Sequence, residues 1–579
     1  MATNNSTFLA SSEISATNLT AAPVANLTFS EKLATVPTKL FENPGLLLLE
    51  ARIVFSSLAC IYLASHAALR RPPSARLRKT KSKDGRKVDE KEDEFYVQGL
   101  LPSDAILFPV LAGTVLVGLY YLIKWLEDPE ILNRILKAYT STTSLASLGK
   151  FSADGLQFIT NLIFPTVWRS SDGRLYHIDA EKAIQWYNPD DSTEQICDVN
   201  KKTPLPGWWS EWKLSDARTK MIWDVRRLLL KPWTVRLSVY GIGKENFKIR
   251  LNYILGVILA IGASLVYQFV DSALLSNVMG FAFSYYAIML MSPTTFATGT
   301  SLLFGLFFYD IYMVFYTPYM VTVATKLDIP VKLTFQGPKG ASMLGLGDIV
   351  LPGIFIAICL RFDNYLYYHR QIKHVPVDLK TEDQSTGRSN SKKKQVMVVK
   401  PEYIDPREQW GDRFWGTKLS KFLSPDATPA LKASTFPKTY FHAAMFGYLI
   451  AMVTTLAMLL AFQHAQPALL YLVPGVVMAV WLTGAIRGDL SLIWAYTEDG
   501  SLDKVDVLQE VDGNGNVIEE IGDGEKTSKQ NDQNEGDPLP NTTEKGTISD
   551  TSAQQTLNKK TPSNPPVFFL SVEAPVQNS

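Results

Sequence analysis

Two carboxylates stand alone inside apolar runs. Asp310 interrupts "GTSLLFGLFFYDIYMVF", directly after Tyr309, and Asp348 interrupts "SMLGLGDIVLPG", directly after Gly345, Leu346 and Gly347. A charged side chain at the centre of a bilayer costs roughly 2.5–3.5 kcal/mol even on the mildest scale, so an acid in such a run marks a functional site by default. Adjacent antiparallel helices would let the two acids face each other at mid-depth, each near the middle of its own helix. Two close carboxyls in a low dielectric share one proton, which yields one acid and one base. This is aspartic-protease chemistry: the base activates water toward a carbonyl carbon while the acid donates to the carbonyl oxygen. It calls for no metal, no cofactor and no covalent intermediate. Paired acids in broken helices also suit a proton- or ion-coupled transporter or channel, which is the alternative reading. Neither motif recurs in the other half of the chain, as an internal repeat would require.

Residues without charge complete the pattern. Gly345 and Gly347 allow another backbone to approach closely, or serve as ordinary helix-packing glycines. In "QPALLYLVPG", two prolines within eight residues argue against a regular helix, so Pro467, Ala468 and Leu469 are candidate substrate-binding positions. The plainer alternative is a helix that begins at Pro467, a favourable first-turn position.

The elements that must hold these residues are membrane helices. Of 579 residues 46% are hydrophobic, and they cluster in blocks of the length that crosses hydrocarbon as a helix. The expected fold is an all-α polytopic membrane protein with nine transmembrane helices, near 45–69, 105–126, 131–165, 251–270, 277–291, 299–315, 341–360, 441–462 and 467–486. Lys137, Lys150 and Asp154 interrupt the third, which leaves a re-entrant or interfacial segment as its alternative. The basic run "RRPPSARLRKTKSKDGRK" beside the first helix belongs on the cytosolic side, which puts the N-terminus in the lumen and the C-terminus in the cytosol.

The expected organisation is a luminal tail at 1–44, helices 1–3 with a basic loop at 45–165, and a polar, Trp-rich cytosolic insertion at 166–250 suited to the membrane surface. Helices 4–7 with both acids follow at 251–362, a basic cytosolic loop at 363–440, helices 8–9 at 441–486 and an acidic, disordered tail at 487–579. The tail at the N-terminus carries glycosylation sequons at Asn4, Asn5, Asn18 and Asn26. Three scattered cysteines form no disulfide framework, and six scattered histidines include no paired metal-ligand motif. In a membrane context the basic runs are topology determinants, so nucleic acid is not an expected partner.

Taken together, "FFYDIYMVF", "MVTVATKLDIPVKL", "SMLGLGDIVLPGIFIAICLRFD" and "QPALLYLVP" resemble the signal peptide peptidase family of presenilin-like GxGD intramembrane aspartyl proteases. The resemblance covers about 252–363 and 442–486 closely, and the earlier helices only in layout. It implies that Asp310 and Asp348 are the catalytic pair and that Pro467, Ala468 and Leu469 form the adjoining PAL element. It further implies cleavage of membrane-embedded helices of type II orientation, notably remnant signal peptides, within the endoplasmic reticulum membrane. The expected partners are therefore transmembrane peptides and the lipid bilayer, with a homo-oligomer left open. The chain departs from the family in its Trp-rich insertion and in an extended tail ending "PVQNS", where some members have a dilysine retrieval signal.

Overall fold

Apolar runs in hydrocarbon must satisfy their backbone groups internally, and the helix does so within one segment. The computed structural model describes residues 36, 38, 42–75, 98–126, 129–188, 196–239, 243–326, 332–379, 393–416, 433–462, 466–498, 508–511, 517–521 and 568–573, except 199, 271, 338–339 and 400. The sequons at Asn4, Asn5, Asn18 and Asn26 lie outside the described residues. The helices are α1 (Pro44–Ala67), α2 (Asp104–Trp125), α3 (Pro129–Ile163), α4 (Asp216–Leu230), α5 (Leu251–Phe269), α6 (Ala273–Leu290) and α7 (Phe296–Phe315). They continue with α8 (Tyr319–Lys326), α9 (Gly347–His369), α10 (Trp410–Gly416), α11 (Thr439–Phe462), α12 (Leu469–Arg487) and α13 (Leu490–Ala495).

Among the described residues eight helices are long and apolar enough to cross a membrane: α1, α2, α5, α6, α7, α9, α11 and α12. The third expected span, α3, is an unbroken helix of 35 residues that falls short on apolarity. Its polar groups are turned inward. Lys150 pairs with Asp154 at 2.7 Å, the Tyr285 hydroxyl donates to Asp154 at 2.7 Å, and Lys150 donates to the Tyr253 hydroxyl at 3.0 Å. Buried Ser141 shares a hydrogen bond with Ser264 of α5 at 2.8 Å, and Asn252 donates to Gln157 at 2.8 Å. The helix starts beside the end of α2, where Leu132 clusters with Ile123, and finishes beside the start of α5, where Asn252 donates to Thr160. At 1.5 Å per residue it is about 50 Å long, more than the roughly 30 Å of hydrocarbon.

The span expected at 341–360 needs correction. Ala341 belongs to a strand, β10 (Gly340–Gly345), which pairs antiparallel with β9 (Lys332–Gly337), and the helix begins only at Gly347 and runs on to His369. Asp348 therefore sits in the first turn of α9, not at mid-helix. A glycine-rich, apolar stretch reads alike as strand or helix, and the backbone pairing with β9 decides it.

The all-α expectation holds for the membrane layer only. Short strands β1 (Gln98–Leu100) and β8 (Met291–Pro293) pair in parallel at the helix ends. The Trp-rich insertion is a folded unit: strands β2 (Val167–Arg169), β3 (Leu175–Asp179), β4 (Ile184–Tyr187) and β5 (Ile196–Cys197) form an antiparallel sheet, followed by α4. Its core is Trp168, Tyr176, Ile178 and Trp223. Next, β6 (Trp233–Val239) and β7 (Gly243–Ile249) form a hairpin. Strands β11 (Lys373–Leu379) and β12 (Lys393–Val399) pair in the loop expected to be merely basic.

The tail expected to be disordered also contributes structure. Besides α13 it supplies β13 (Leu508–Val511) and β14 (Val517–Ile521), which extend the β11–β12 pair, and β15 (Phe568–Glu573), which pairs with β6. Acidic composition hid these short segments, which carry Glu among their apolar residues and pair along strand edges.

Helix α9 forms the centre of the bundle, packed by α1, α6, α7, α11 and α12. Two devices fix its far end. Asp363 accepts the otherwise unpaired N–H groups of Tyr440 at 3.2 Å and Phe441 at 2.9 Å, capping α11 from a neighbouring helix. Glu498, just beyond α13, meets Arg361 of α9 at 2.7 Å and also binds Arg70 and Ser292, so the chain after α12 is clasped to the ends of α1, α6 and α9. Replacing Asp363 by Leu should cost about 1–3 kcal/mol for each N–H left unpaired. Thermal melting of the purified protein should show a lowered transition; an unchanged transition would contradict the capping role.

Candidate active site

Asp310 lies in the fourth turn of α7 and is 5% exposed. Asp348 occupies the first turn of α9 and is half-buried. The helices that carry the two acids, α7 and α9, pack directly against each other. The structure thus places the two acids that the sequence singled out on contacting helices, one late in its helix and the other in a first turn rather than both at mid-helix.

Two helix N-termini supply what water otherwise would. The first N–H groups of a helix have no partner inside it and carry the positive end of its dipole. Asp348 sits at that end of its own helix. For Asp310 the partner is α12: Pro467 and Ala468 precede the helix, and the freed Leu469 N–H donates to Asp310 Oδ2 at 3.1 Å. The expected irregularity at Pro467 is thus an ordinary helix start with one tight turn, in which Leu470 N–H reaches the Pro467 carbonyl at 3.2 Å. Pro474 lies inside α12 without ending it.

Small residues hold α12 in place. A Cβ on Gly447 of α11 would lie 2.5 Å from the Gly475 carbonyl oxygen, so the two helices cross with their backbones nearly touching.

The glycines beside Asp348 have a different use from helix packing. A Cβ on Gly345 would come 3.4 Å from Asp348 Oδ2, and around Gly347 nothing lies within 4 Å. Both therefore border the space beside the carboxyl. Leu346 between them is buried in the main core, and Tyr309 turns toward Gly113 of α2.

One participant was not found from sequence. Pro352 stands four residues after Asp348 inside α9, so it has no N–H to give the Asp348 carbonyl. The buried Tyr448 hydroxyl of α11 donates to that carbonyl at 3.2 Å. A proline at the fourth position after a key residue is the signal that an outside donor is needed, though the sequence does not say which.

The β9–β10 hairpin has one closed and one open edge. Asn277 of α6 brackets Thr334 of β9, donating to its carbonyl at 2.7 Å and accepting its N–H at 2.8 Å. Thr334 pairs in register with Met343, and opposite residues of a non-hydrogen-bonded pair point their backbone groups outward on both strands. The Met343 backbone therefore faces away from β9, and its side chain is 55% exposed.

Among the described residues no cluster of His, Cys, Asp and Glu could hold a metal ion. The arrangement is two acids, a set of backbone donors and an open strand edge, which is sufficient to move protons to and from water and a peptide group.

Tyr448→Phe should leave the Asp348 carbonyl unpaired and cost about 1–3 kcal/mol. Pro352→Ala restores an N–H to that carbonyl, so the double variant should melt above Tyr448→Phe alone. Equal melting of the two would show that the hydroxyl does not serve this carbonyl.

The profile of the signal peptide peptidase family matches residues 91–500. A Caenorhabditis elegans protein named "Intramembrane protease 2" is 32% identical over 246 residues, 41% of this chain and 41% of that one. A Schizosaccharomyces pombe protein named "Probable intramembrane protease" is 31% identical over 260 residues, 44% of this chain and 68% of that one. The human protein named "Signal peptide peptidase" is 30% identical over 246 residues, 41% of this chain and 48% of that one. The chain thus spans less than half the length of the nematode and human relatives. No solved structure matches it.

Proposed function

The chain belongs to the signal peptide peptidase family, and from that membership we propose that it is an aspartyl endopeptidase that hydrolyses peptide bonds within transmembrane segments. The observation that carries this reading is the placing of two acids on contacting helices, Asp310 late in α7 where it accepts the first N–H of α12 and Asp348 in the first turn of α9, beside an open space bordered by Gly345 and Gly347. In the proposed step the ionised acid takes a proton from water as the water oxygen bonds to the scissile carbonyl carbon. The protonated acid gives its proton to the carbonyl oxygen. Collapse of the gem-diol adduct breaks the C–N bond: the leaving nitrogen receives a proton from the acid that the water had protonated, and the other acid takes a proton back from an adduct hydroxyl, which restores the starting pair.

An intact substrate helix hides its carbonyls in internal bonds, so it must unwind before attack. We take the outer edge of β10 at Met343 as the pairing site for the extended stretch. The inner strand β9 has its Thr334 backbone already engaged by Asn277. Pro467 acts indirectly, by setting where α12 starts and so delivering the Leu469 N–H to Asp310.

The substrates of this reading are transmembrane peptides of type II orientation, including remnant signal peptides, in the endoplasmic reticulum membrane. The assigned topology has nine crossings with α3 as the third, a luminal N-terminus and a cytosolic C-terminus. Supporting it are the end-to-end course of α3 and the Lys/Arg-rich loops after the first, third and seventh helices. Asn4, Asn5, Asn18 and Asn26 are then luminal glycan acceptors.

Asp310→Asn and Asp348→Asn should each reduce cleavage of a labelled signal-peptide-like helix in detergent by about 10²-fold or more. Equal product from either variant at equal expression would refute the protease. Pro467→Leu should lower cleavage with the melting transition retained, and unchanged turnover would contradict the role given to the start of α12. Endoglycosidase treatment should shift the wild type on a gel but not the variant with all four sequon asparagines changed to Gln; no shift in the wild type would contradict the luminal N-terminus.

A further inference from the structure

The Trp-rich insertion is pinned to the membrane boundary, and its outward face is neither plainly polar nor covered. Helix α5 begins at Leu251 beside the last turns of α3, which marks the level at which the bundle leaves the hydrocarbon. The insertion is tied to that level at three points. Asp412 of α10 accepts the N–H groups of Thr166 at 2.6 Å and Val167 at 3.0 Å, and the Trp415 indole donates to the Leu162 carbonyl at 2.8 Å. The buried Arg226 of α4 donates to the Pro165 carbonyl at 2.9 Å. Such a unit cannot swing away from the bilayer surface.

Helix α4 has two faces. Trp223 and Arg226 point into the insertion, while Met221, Val225 and Leu228, spaced i, i+4, i+7, form a stripe on the opposite side. Met221 is 66% exposed. The turn just before α4 also presents Trp208, 68% exposed, and Trp212 to the outside. Trp209, between them, rests against Trp415, which fixes this turn to the same end of α3. Lys213, Arg218 and Lys220 are exposed beside these apolar groups and have no acidic partner among the described residues. Apolar and tryptophan side chains flanked by free cations are the composition that seats a helix in the headgroup layer.

We propose that α4 and the tryptophan turn lie in the headgroup layer of the membrane that the bundle crosses, and that Lys213, Arg218 and Lys220 bind the phosphates of anionic lipids. The occupant follows from position and charge: the insertion is tied to the end of α3 beside the start of α5, and beside the apolar stripe Lys213, Arg218 and Lys220 outnumber exposed Asp216 and the Lys201-paired Glu211. The proposal is independent of the protease reading.

The test uses the full chain in lipid nanodiscs. Cys197 is the exposed cysteine, and Cys60 and Cys359 are buried, so a Cys197→Ser background permits site-specific labelling. An environment-sensitive fluorophore on Met221→Cys is compared with one on Asp172→Cys. Asp172 lies in the β2–β3 turn, which the strand register places at the end of the sheet away from α3. In discs containing phosphatidylserine, the probe at 221 should be blue-shifted and quenched by headgroup-proximal nitroxide lipid about twofold or more beyond the probe at 172. The shift should shrink in discs of phosphatidylcholine alone, and likewise when Lys213, Arg218 and Lys220 are changed to Gln. Water-like emission at 221 in both lipids would overturn the proposal, and equal shifts in the two lipids would overturn the role of lipid charge. Protection that arises only on adding a cytosolic extract would assign the face to a protein and overturn it as well.

Discussion

A carboxyl group removed from water needs donors or positive potential to replace what water gave it, and here helix N-termini supply them, a free N–H to Asp310 and the first-turn dipole to Asp348. Asp348 stands at the N-terminal end of α9, and Asp310 receives the first free N–H of α12. Backbone groups at a helix start are fixed by the helix itself, so they need no reorganisation to face charge on a carboxyl. Everything else in the bundle bears on keeping two helix starts and one mid-helix residue in register.

That register explains features that look unrelated. The backbone contact of Gly447 with Gly475 sets α12 against α11. Tyr448, one position later and so turned about 100° toward α9, takes the Asp348 carbonyl that Pro352 leaves without a partner. At the opposite end of α9, Asp363 caps α11 and Arg361 meets Glu498. Helix α11 therefore touches the site through α9 and through α12, and α9 is held at both ends. A buried ion pair such as Arg361–Glu498 adds little net stability, because desolvation offsets much of its attraction; its consequence is geometric, since the one Glu498 side chain joins α9 to the residues just past α1 and α6.

What the sequence made legible follows from the strength of each physical signal. Apolar runs of about 20 residues were readable because hydrocarbon thickness imposes that length, and eight helices correspond to them. Asp310 and Asp348 were readable because a charge in such a run is rare. Lys150 and Asp154 obscured α3, since hydropathy counts two charges where the structure has one neutral pair. The strand at Gly340–Gly345 was missed because apolar residues with glycine do not distinguish a pairing strand from the first turn of a helix. The sheet in the insertion was missed for lack of length: its strands have two to five residues, too few for alternation to stand out. Tyr448 and Asn277 were invisible because their importance lies in which distant backbone they meet.

The central claim is that the two acids act on one atom. It is tested most directly by an experimental structure of the full chain in nanodiscs with a peptide isostere in which a hydroxyethylene group replaces the scissile bond. The account predicts that the isostere hydroxyl lies within hydrogen-bond distance of both the Asp310 and Asp348 carboxyls, with the flanking peptide extended along β10. An isostere bound elsewhere, or a hydroxyl in contact with one carboxyl while the other faces away, would contradict it.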